Sequence, residues 1–188
     1  MEEFVIKKKI YKVVEEYHEH CFKVENDNKF FIVRSLGTKS VAFYNFCYAN
    51  KRLVAAGVSI PKILVKDKKQ GLILEEFIDG DTVYDMLRNK DLDEKIYELV
   101  FVENWRARVN GLRLNFNPLN FRYVNGRLIY TAFVFDVYKK DEDFSQKEIR
   151  LWFYTKEFKA NLIENGLDIE FVAKNTGLSV DELNNLIK

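Results

Sequence analysis

Hydrophobic and polar positions alternate loosely through the first third of the chain, which is the pattern of β-strands. β-branched and aromatic residues dominate residues 4–16 and 18–24, and residues 29–35 form a more apolar run. An Asn-Asp-Asn triplet separates the last two segments and signals a turn. A half-buried strand alternates its side chains between two faces, whereas a central strand is apolar on both. The pattern therefore predicts three strands in an antiparallel meander.

The spacing changes to that of a helix at residues 40–56, where apolar side chains recur every three to four positions. Gly57 follows, and glycine readily adopts the left-handed conformation that ends many helices. Residues 62–66 and 71–76 return to strand-like composition and predict a second hairpin around a polar turn. The N-terminal part of the chain is therefore predicted to be a sheet with one helix.

The second half of the chain is predicted to be mainly helical. Apolar spacing indicates a short helix that ends near Leu87, a longer helix that starts at Asp91, and another over residues 147–165. Residues 112–124 have no regular pattern, and the Asn-Gly pair that follows them predicts a tight hairpin turn between two apolar runs. This half is therefore predicted to be helical around one hairpin.

Together these elements indicate an α+β protein in three parts. A β-rich part covers residues 1–78, a helical part covers residues 79–165, and a tail covers residues 166–188. The tail has the pattern of two short helices around a turn, with Ser179 and Glu182 forming a capping box. Its second helix begins with two acids, which does not suit a helix that contacts DNA bases. We expect the tail to pack on the rest of the chain, on a partner or on a second protomer.

Composition narrows the classes of function. Of the 188 residues, 47% are hydrophobic and 15% aromatic, which fits a globular protein, and the formal net charge is only +1. That charge does not imply a field strong enough to hold nucleic acid or an anionic membrane. The sequence shows no signal peptide, no run long enough to span a membrane, and two cysteines that make no disulfide framework. We therefore expect a cytoplasmic protein with reduced thiols and no membrane span.

The stretch between Glu103 and Asp136 contains no aspartate or glutamate, although 29 of the 188 residues are acidic. Five arginines make it basic, and its aromatic side chains could stack on the bases of an RNA. The alternative is that the arginines pair with acids at residues 94–98 or 141–143, which the near-neutral charge favours. Nucleic acid is therefore not the expected partner. The arginines are Arg106, Arg108, Arg113, Arg122 and Arg127.

Three segments, in this order along the chain, resemble parts of the protein-kinase-like fold. The third strand of that fold is matched by KFFIVRSL, and the run from helix C through the hinge to helix D by GVSIPKILVKDKKQGLILEEFIDGDTVYDML. The catalytic loop and the hairpin after it are matched by NFNPLNFRYVNGRLIYTAFV. The resemblance is nearest to RIO-type kinases, lipopolysaccharide-core kinases and aminoglycoside phosphotransferases, and covers about residues 10–160. It implies two lobes, an antiparallel β N-lobe and a small, mostly helical C-lobe, with ATP and Mg²⁺ as cofactors of an active member.

The resemblance also assigns roles to residues at the nucleotide site. Arg34 stands where the family has the lysine that pairs with the phosphates. Phe46 or a neighbour stands where that lysine has its glutamate partner, and no acid lies anywhere from Asn28 to Lys66. The hinge would contact the nucleotide through Glu75 and Phe77. The resemblance therefore implies a nucleotide site in which the usual lysine–glutamate pair is missing.

The catalytic loop departs further from the family. Asn120 matches the metal-binding asparagine, and Asn115 then stands at the catalytic aspartate, where an amide cannot take up a proton as a carboxylate does. Ala132, Phe133 and Val134 stand at the metal-binding triplet, and an alanine side chain offers Mg²⁺ no oxygen ligand. Asp136 is the nearest carboxylate and would serve only if the hairpin were longer than usual.

Three hypotheses follow. The first is a pseudokinase that lacks phosphotransfer and acts as a binding or regulatory module for an unidentified protein or small molecule. The second is an active, divergent phosphotransferase for a small molecule, lipopolysaccharide or protein, in which Asn120 and Asp136 hold Mg²⁺ and Arg34 binds the ATP phosphates. The third is a nucleic-acid-associated protein that uses the arginine-rich stretch.

Overall fold

A computed structural model of the protein describes residues 3–18, 20–89, 95–152, 168–170, 173 and 179–186. The strands of its main sheet are β1 (Glu3–Ile6), β2 (Lys9–His18), β3 (Cys21–Asn26), β4 (Lys29–Ser35), β5 (Ile63–Asp67) and β6 (Leu72–Glu76). Four shorter strands follow: β7 (Leu112–Leu114), β8 (Phe121–Val124), β9 (Arg127–Tyr130) and β10 (Phe135–Val137). The α-helices are α1 (Val41–Ala55), α2 (Val83–Asn89), α3 (Lys95–Val109), α4 (Phe144–Lys147) and α5 (Val180–Leu186).

The main sheet is antiparallel throughout and has the order β1-β2-β3-β4-β6-β5. Polar residues with positive φ close its first hairpins, among them Asp27 and Asn28 at φ 52° and 58°. Arg34 pairs with Ile73 across β4 and β6, so Glu75 is the diagonal neighbour of Arg34 on the same face of the sheet. This register brings a cation and an acid together in the middle of the sheet.

The protein has two apolar cores. The smaller lies on one face of the main sheet and ties its strands to one another, and the larger is formed by the helices and the later strands. Leu53 of α1 and Trp152 belong to the larger core, so the N-terminal helix packs with the C-terminal half. The small core consists of Ile6, Tyr11, Phe22, Val24, Val33, Leu72 and Leu74.

Several predicted elements are confirmed. The helix predicted for residues 40–56 is α1, with Ser40 as its N-cap, and the second hairpin is β5–β6. The Asn-Gly turn joins β8 to β9, with Asn125 at φ 52° and Gly126 at φ 74° as a two-residue turn of this type requires. The strand predicted for residues 4–16 is wrong in one respect, because a turn at Lys7 and Lys8 divides it into β1 and β2.

The predicted two-lobe, kinase-like architecture with a mostly helical C-lobe is wrong. The described chain is a mixed α+β protein that is mostly sheet, and its helices are small. The second half adds the pairs β7–β10 and β8–β9, where sequence analysis expected one hairpin among helices. A three-residue strand is too short to display a period, and the partner of β7 lies about twenty residues further along the chain. Local spacing therefore could not predict this pair.

The last part of the chain tests few of the predictions. Residues 144–152 form α4 and a 3-10 turn at Ile149–Leu151, whereas most of the helix predicted for residues 147–165 lies outside the described residues. In the predicted tail, α5 is described, and Leu183 within it is fully buried. None of the helices in the described part of the chain has the length and apolar character needed to span a bilayer.

Candidate functional site

A cleft of about 690 Å³ lies between the main sheet and the region around β8 and β9. The sheet contributes residues of β2, β3, β4 and β6, and the segment after β6 contributes Phe77 and Ile78. The opposite side is formed by the 3-10 turn before β8 and by the chain that leaves β9. This volume lies within the range of small-molecule sites in proteins. The polar residues that line it are Tyr17, Cys21, Arg34, Glu75, Glu76, Thr82, Asn115, Asn120, Arg122 and Thr131.

Arg34 and Glu75 form a buried ion pair in the wall of the cleft. Arg34 Nε donates to Glu75 Oε1 at 2.6 Å, and the two side chains are 15% and 1% exposed. Burial raises the pKa of Glu75, and the positive charge and hydrogen bond of Arg34 oppose that shift. Sequence analysis found no partner for Arg34 on the helix, and the structure shows that its partner comes from β6 instead.

Two aromatic rings and a carbonyl oxygen hold the guanidinium of Arg34 in place. Its Cζ lies 5.2 Å from the ring centre of Phe46 and 5.4 Å from that of Phe133, which is within cation–π range. Arg34 Nη2 also donates to the carbonyl oxygen of Thr131 at 3.3 Å. The side chain therefore connects the sheet to α1 and to the segment after β9. The position predicted for a glutamate partner is occupied by Phe46, which contacts Arg34 through its ring.

Phe133 has an unusual backbone conformation. Its φ is 54°, a left-handed value that costs a bulky residue energy, and its side chain is only 2% exposed. Its ring lies 4.7 Å from that of Phe46. The packing between α1 and the strand end therefore stabilises a backbone turn that brings Ala132 and Val134 to the cleft.

Asn115 and Asn120 line the cleft opposite the sheet. Asn115 Oδ1 accepts from the backbone N–H of Asn117 at 3.1 Å, and Asn120 Nδ2 donates to the carbonyl oxygen of Asn115 at 3.1 Å. Thr131 Oγ1 donates to the carbonyl oxygen of Asn120 at 3.1 Å. These bonds fix the loop and leave Asn115 Nδ2 and Asn120 Oδ1 without hydrogen bonds in the described part of the chain. Each amide therefore keeps one polar atom for a ligand.

The predicted hinge residues lie along the edge of the cleft. Glu76 Oε1 accepts from the backbone N–H of Lys62 at 2.9 Å, which joins the hinge to the chain before β5. Phe77 lines the cleft and packs edge-on against Phe30 with ring centres 6.0 Å apart, and Lys23 Nζ lies 4.5 Å from the Phe77 ring centre. Phe77 is thus held in position by β3 and β4.

Cys21 lies beside the ion pair, directly opposite Arg34 in the register of β3 and β4. Its side chain lines the cleft, although the residue is only 4% exposed. Burial raises the pKa of the Cys21 thiol, the Arg34 charge opposes this, and the Glu75 charge adds to it. The Cys21 thiol therefore ionises less readily than a free cysteine, and the charges of Arg34 and Glu75 influence its ionisation.

Asp136 does not belong to this cleft. It lies on β10, its side chain is 77% exposed, and its Oδ2 lies 3.4 Å from Nη1 of Arg113 on the paired strand β7. Arg113 also pairs with Glu142 and Glu148. The structure therefore brings together Arg34, Glu75, Phe77, Asn115 and Asn120, and places Asp136 elsewhere.

Among the described residues, no group of three histidine, cysteine, aspartate or glutamate side chains lies close enough together to hold a metal ion. Glu75 and Glu76 are the acids that line the cleft in that part of the chain. The pairing predicted between the basic stretch and residues 141–143 is confirmed for two arginines. Arg108 Nη1 lies 3.9 Å from Asp143, and Arg113 Nη1 lies 3.5 Å from Glu142.

Sequence analysis missed Cys21 and the Arg34–Glu75 contact. A signal for the contact exists, because Arg34 and Glu75 each introduce a charge into a strongly apolar strand. Buried charges require partners of opposite sign, so two such strands are candidates for neighbours in one sheet. Cys21 carries no comparable signal, since its position at the cleft follows from the register of β3 with β4.

Comparison with known proteins assigns no family to the chain. No model of a known protein family matches it, and no curated protein matches it either.

Proposed function

We propose that the protein is a binding or regulatory module that takes a small molecule into the cleft beside Arg34 and does not transfer phosphate. The observation that carries this proposal is the set of polar groups that line the cleft. They comprise amides, hydroxyls, a thiol and two arginines, together with the acids Glu75 and Glu76. Each acid already accepts a hydrogen bond from the protein through its Oε1 atom.

Phosphoryl transfer requires more than a cleft of suitable size. It depends on a group that takes up or orients a proton and on carboxylates that hold Mg²⁺ against the phosphates. Asn115 supplies an amide where a base is needed, and Asp136 is exposed on β10 and bound to Arg113. The relation to kinase-like proteins remains a prediction from three sequence segments. The proposal of binding depends on the cleft, whereas the proposed absence of transfer also uses the position that the resemblance gives to Asn115.

The cleft is well suited to bind a ligand because its polar groups are fixed before binding. Arg34 is held by Glu75, Thr131 and two rings, and the Asn115 loop is held by its own hydrogen bonds. A ligand that enters such a site loses little affinity to the ordering of side chains. Ile32, Leu119 and Val134 add apolar surface on both sides of the cleft.

A substitution that fills the cleft tests the proposal. Ala132→Phe adds a ring at the cleft wall, whereas Ala55→Phe adds the same ring on an exposed position of α1 outside the cleft. Uncharged aromatic fragments should raise the melting temperature of the wild-type protein and of Ala55→Phe, and should leave that of Ala132→Phe unchanged. Equal responses of the two variants would show that the fragments bind elsewhere and would overturn the proposal.

ATP with Mg²⁺ provides the second test. We expect no magnesium-dependent rise in melting temperature and no transfer of labelled phosphate to the protein or to common acceptors. A large magnesium-dependent stabilisation, with label transfer that Ala132→Phe abolishes, would support the phosphotransferase hypothesis instead.

The location and the partner of the module are also proposals. Cys21 and Cys47 are both unbridged, which supports a reducing compartment such as the cytoplasm. The partner is an unidentified small molecule in the cleft, with a regulated protein or a second protomer as a further candidate through the C-terminal tail.

A further inference from the structure

One oxygen of the buried Glu75 carboxylate is not used by the protein. Glu75 is 1% exposed and Oε1 accepts from Arg34, whereas Oε2 has no hydrogen bond within the described part of the chain. The side chain lines the cleft, and Oε2 is not among the atoms that the protein seals off completely. Because the side chain is buried and this oxygen still reaches the cleft, Oε2 is an acceptor that a ligand or water in the cleft can use.

The Arg34 guanidinium likewise keeps a donor. Its Nε binds Glu75 and its Nη2 binds the Thr131 carbonyl oxygen, but Nη1 makes no hydrogen bond among the described residues. Arg34 lines the cleft as well. The two residues of the ion pair therefore each leave one polar atom without a partner in the described part of the chain, an acceptor on Glu75 and a donor on Arg34.

The charge of the pair selects the kind of ligand. Arg34 and Glu75 neutralise each other at 2.6 Å, so a cationic group that reaches Oε2 also meets the guanidinium. An anionic group that reaches Nη1 meets the carboxylate. In both cases the charged group of the ligand also loses its hydration when it enters the cleft, and this costs free energy. An uncharged group does not have this cost. A neutral group with one donor and one acceptor satisfies both atoms at the lowest cost.

The remaining walls favour a flat molecule. Ile32 lies on the sheet side of the cleft, and Leu119 and Val134 lie on the opposite side. A flat apolar ring between these side chains would bury its faces while its polar edge points to the ion pair.

We infer that the cleft binds an uncharged, planar ligand that carries a donor and an acceptor, as in a carboxamide or a lactam, with the donor reaching Glu75 and the acceptor reaching Arg34. The inference rests on the proposed function, because it names the class of ligand for the same cleft.

Three probes of the same shape test it: 2-naphthamide, 2-naphthamidine and 2-naphthoate. The first is neutral with a donor and an acceptor, the second is a cation with donors only, and the third is an anion with acceptors only. Titration calorimetry or ligand-observed NMR on the wild-type protein should give the amide at least about tenfold tighter binding than either charged probe. Equal binding of the three, tighter binding of a charged probe, or no binding of the amide overturns the inference.

Glu75→Gln should reverse the preference. The glutamine turns an acceptor into a group that can donate, and it leaves the positive charge of Arg34 uncompensated. We expect 2-naphthoate to bind tighter than 2-naphthamide in this variant. Glu25→Gln is the matched control on β3 of the same sheet, outside the cleft, and should keep the wild-type order. If Glu75→Gln folds and keeps the wild-type order of affinities for the probes, the inference is contradicted. If this variant does not fold, the affinities of the three probes for the wild-type protein decide the question.

Cys21 gives an independent readout of position. In a Cys47→Ser background, 2-naphthamide should slow the alkylation of Cys21, because the probe would occupy the cleft that the Cys21 side chain lines. Binding without protection of Cys21 would place the amide elsewhere and overturn the inference. Failure of the inference can be distinguished from failure of the proposed function. If other fragments stabilise the wild-type protein but not Ala132→Phe, the cleft is still a binding site, even if 2-naphthamide binds no tighter than the charged probes.

Discussion

Glu75 and Glu103 are two buried glutamates that the protein uses differently. Glu75 is 1% exposed and Glu103 is 3% exposed, and burial raises the pKa of both carboxyl groups. Glu103 Oε2 accepts from the backbone N–H of Ser59 at 3.1 Å, and its Oε1 accepts from Ser59 Oγ at 3.1 Å and from Arg106 at 2.7 Å. Both of its oxygens are thus satisfied, whereas Glu75 uses one.

The difference separates a structural carboxylate from one that remains available to a ligand. Ser59, which Glu103 holds, also accepts from the backbone N–H of Tyr130 at 2.8 Å, so this corner joins α3 to the end of β9. No further partner is needed there. The Arg34–Glu75 pair lies in the cleft with one donor and one acceptor left over. The number of satisfied oxygens, rather than burial, distinguishes the two sites.

Removal of Arg34 should have the largest effect on stability. Arg34→Met leaves the Glu75 carboxylate buried and uncompensated, which should lower the free energy of unfolding by about 3–5 kcal/mol. Urea denaturation measures the loss. Arg127→Met, at an exposed position of β9, should change the stability by less than about 0.5 kcal/mol.

The double variant Arg34→Met, Glu75→Leu sharpens the interpretation. If the loss comes from an uncompensated charge, replacement of both partners by apolar residues should recover most of it. If the double variant is as unstable as Arg34→Met, the loss of stability comes instead from the missing contacts of Arg34 with Phe46 and Phe133.

Glu103→Ala should have the next largest effect. It leaves the Ser59 backbone N–H without its acceptor in a buried corner, which should lower the free energy of unfolding by about 1–3 kcal/mol. Ser59→Ala is the milder control, since the backbone N–H bond to Glu103 remains. The order of affinities for the three naphthalene probes should not change in either variant. A change in that order would mean that Glu103 acts on the cleft and would remove the contrast between the two glutamates.

The reactivity of Cys21 provides a smaller, more local effect. Alkylation requires the thiolate, and burial raises the pKa of Cys21 with an added contribution from the negative charge of Glu75. The alkylation rate in a Cys47→Ser background should therefore reach its midpoint above pH 9, the ordinary value. Glu75→Gln removes a charge that disfavours the thiolate, so the midpoint should move to lower pH. Glu103→Gln should leave it in place, and a similar shift in both variants would contradict a local cause.

The sequence predicted those elements whose signal is local. α1 has helical spacing that is followed by Gly57, and β8–β9 has an Asn-Gly turn, so both were predicted. The short pair β7–β10 depends on a contact between strands far apart in the chain, and it was missed. The mostly helical C-lobe was inferred from the family resemblance and from spacing over residues that only partly form helices.

The candidate site was likewise predicted only in part. Arg34, Glu75, Phe77, Asn115 and Asn120 were predicted from three segments that resemble a family, and in the structure they line one cleft. Their chemistry depends on contacts that only the sheet register defines, such as Arg34 with Glu75 and with the carbonyl oxygen of Thr131. The predicted use of Asp136 required it to reach the same cleft, and its pairing across β7 and β10 directs it to Arg113 instead.

Asp136→Asn should have the smallest effect of the substitutions considered. The side chain is 77% exposed and its partner Arg113 has two further acids, so the stability should change by less than about 1 kcal/mol. Binding of 2-naphthamide should be unchanged within twofold, because Asp136 does not line the cleft. Denaturation and titration calorimetry on the same preparation measure both quantities. A loss of ligand binding in a folded Asp136→Asn protein would show that β10 contributes to the site, and it would restore the hypothesis that Asp136 and Arg34 act together on one ligand.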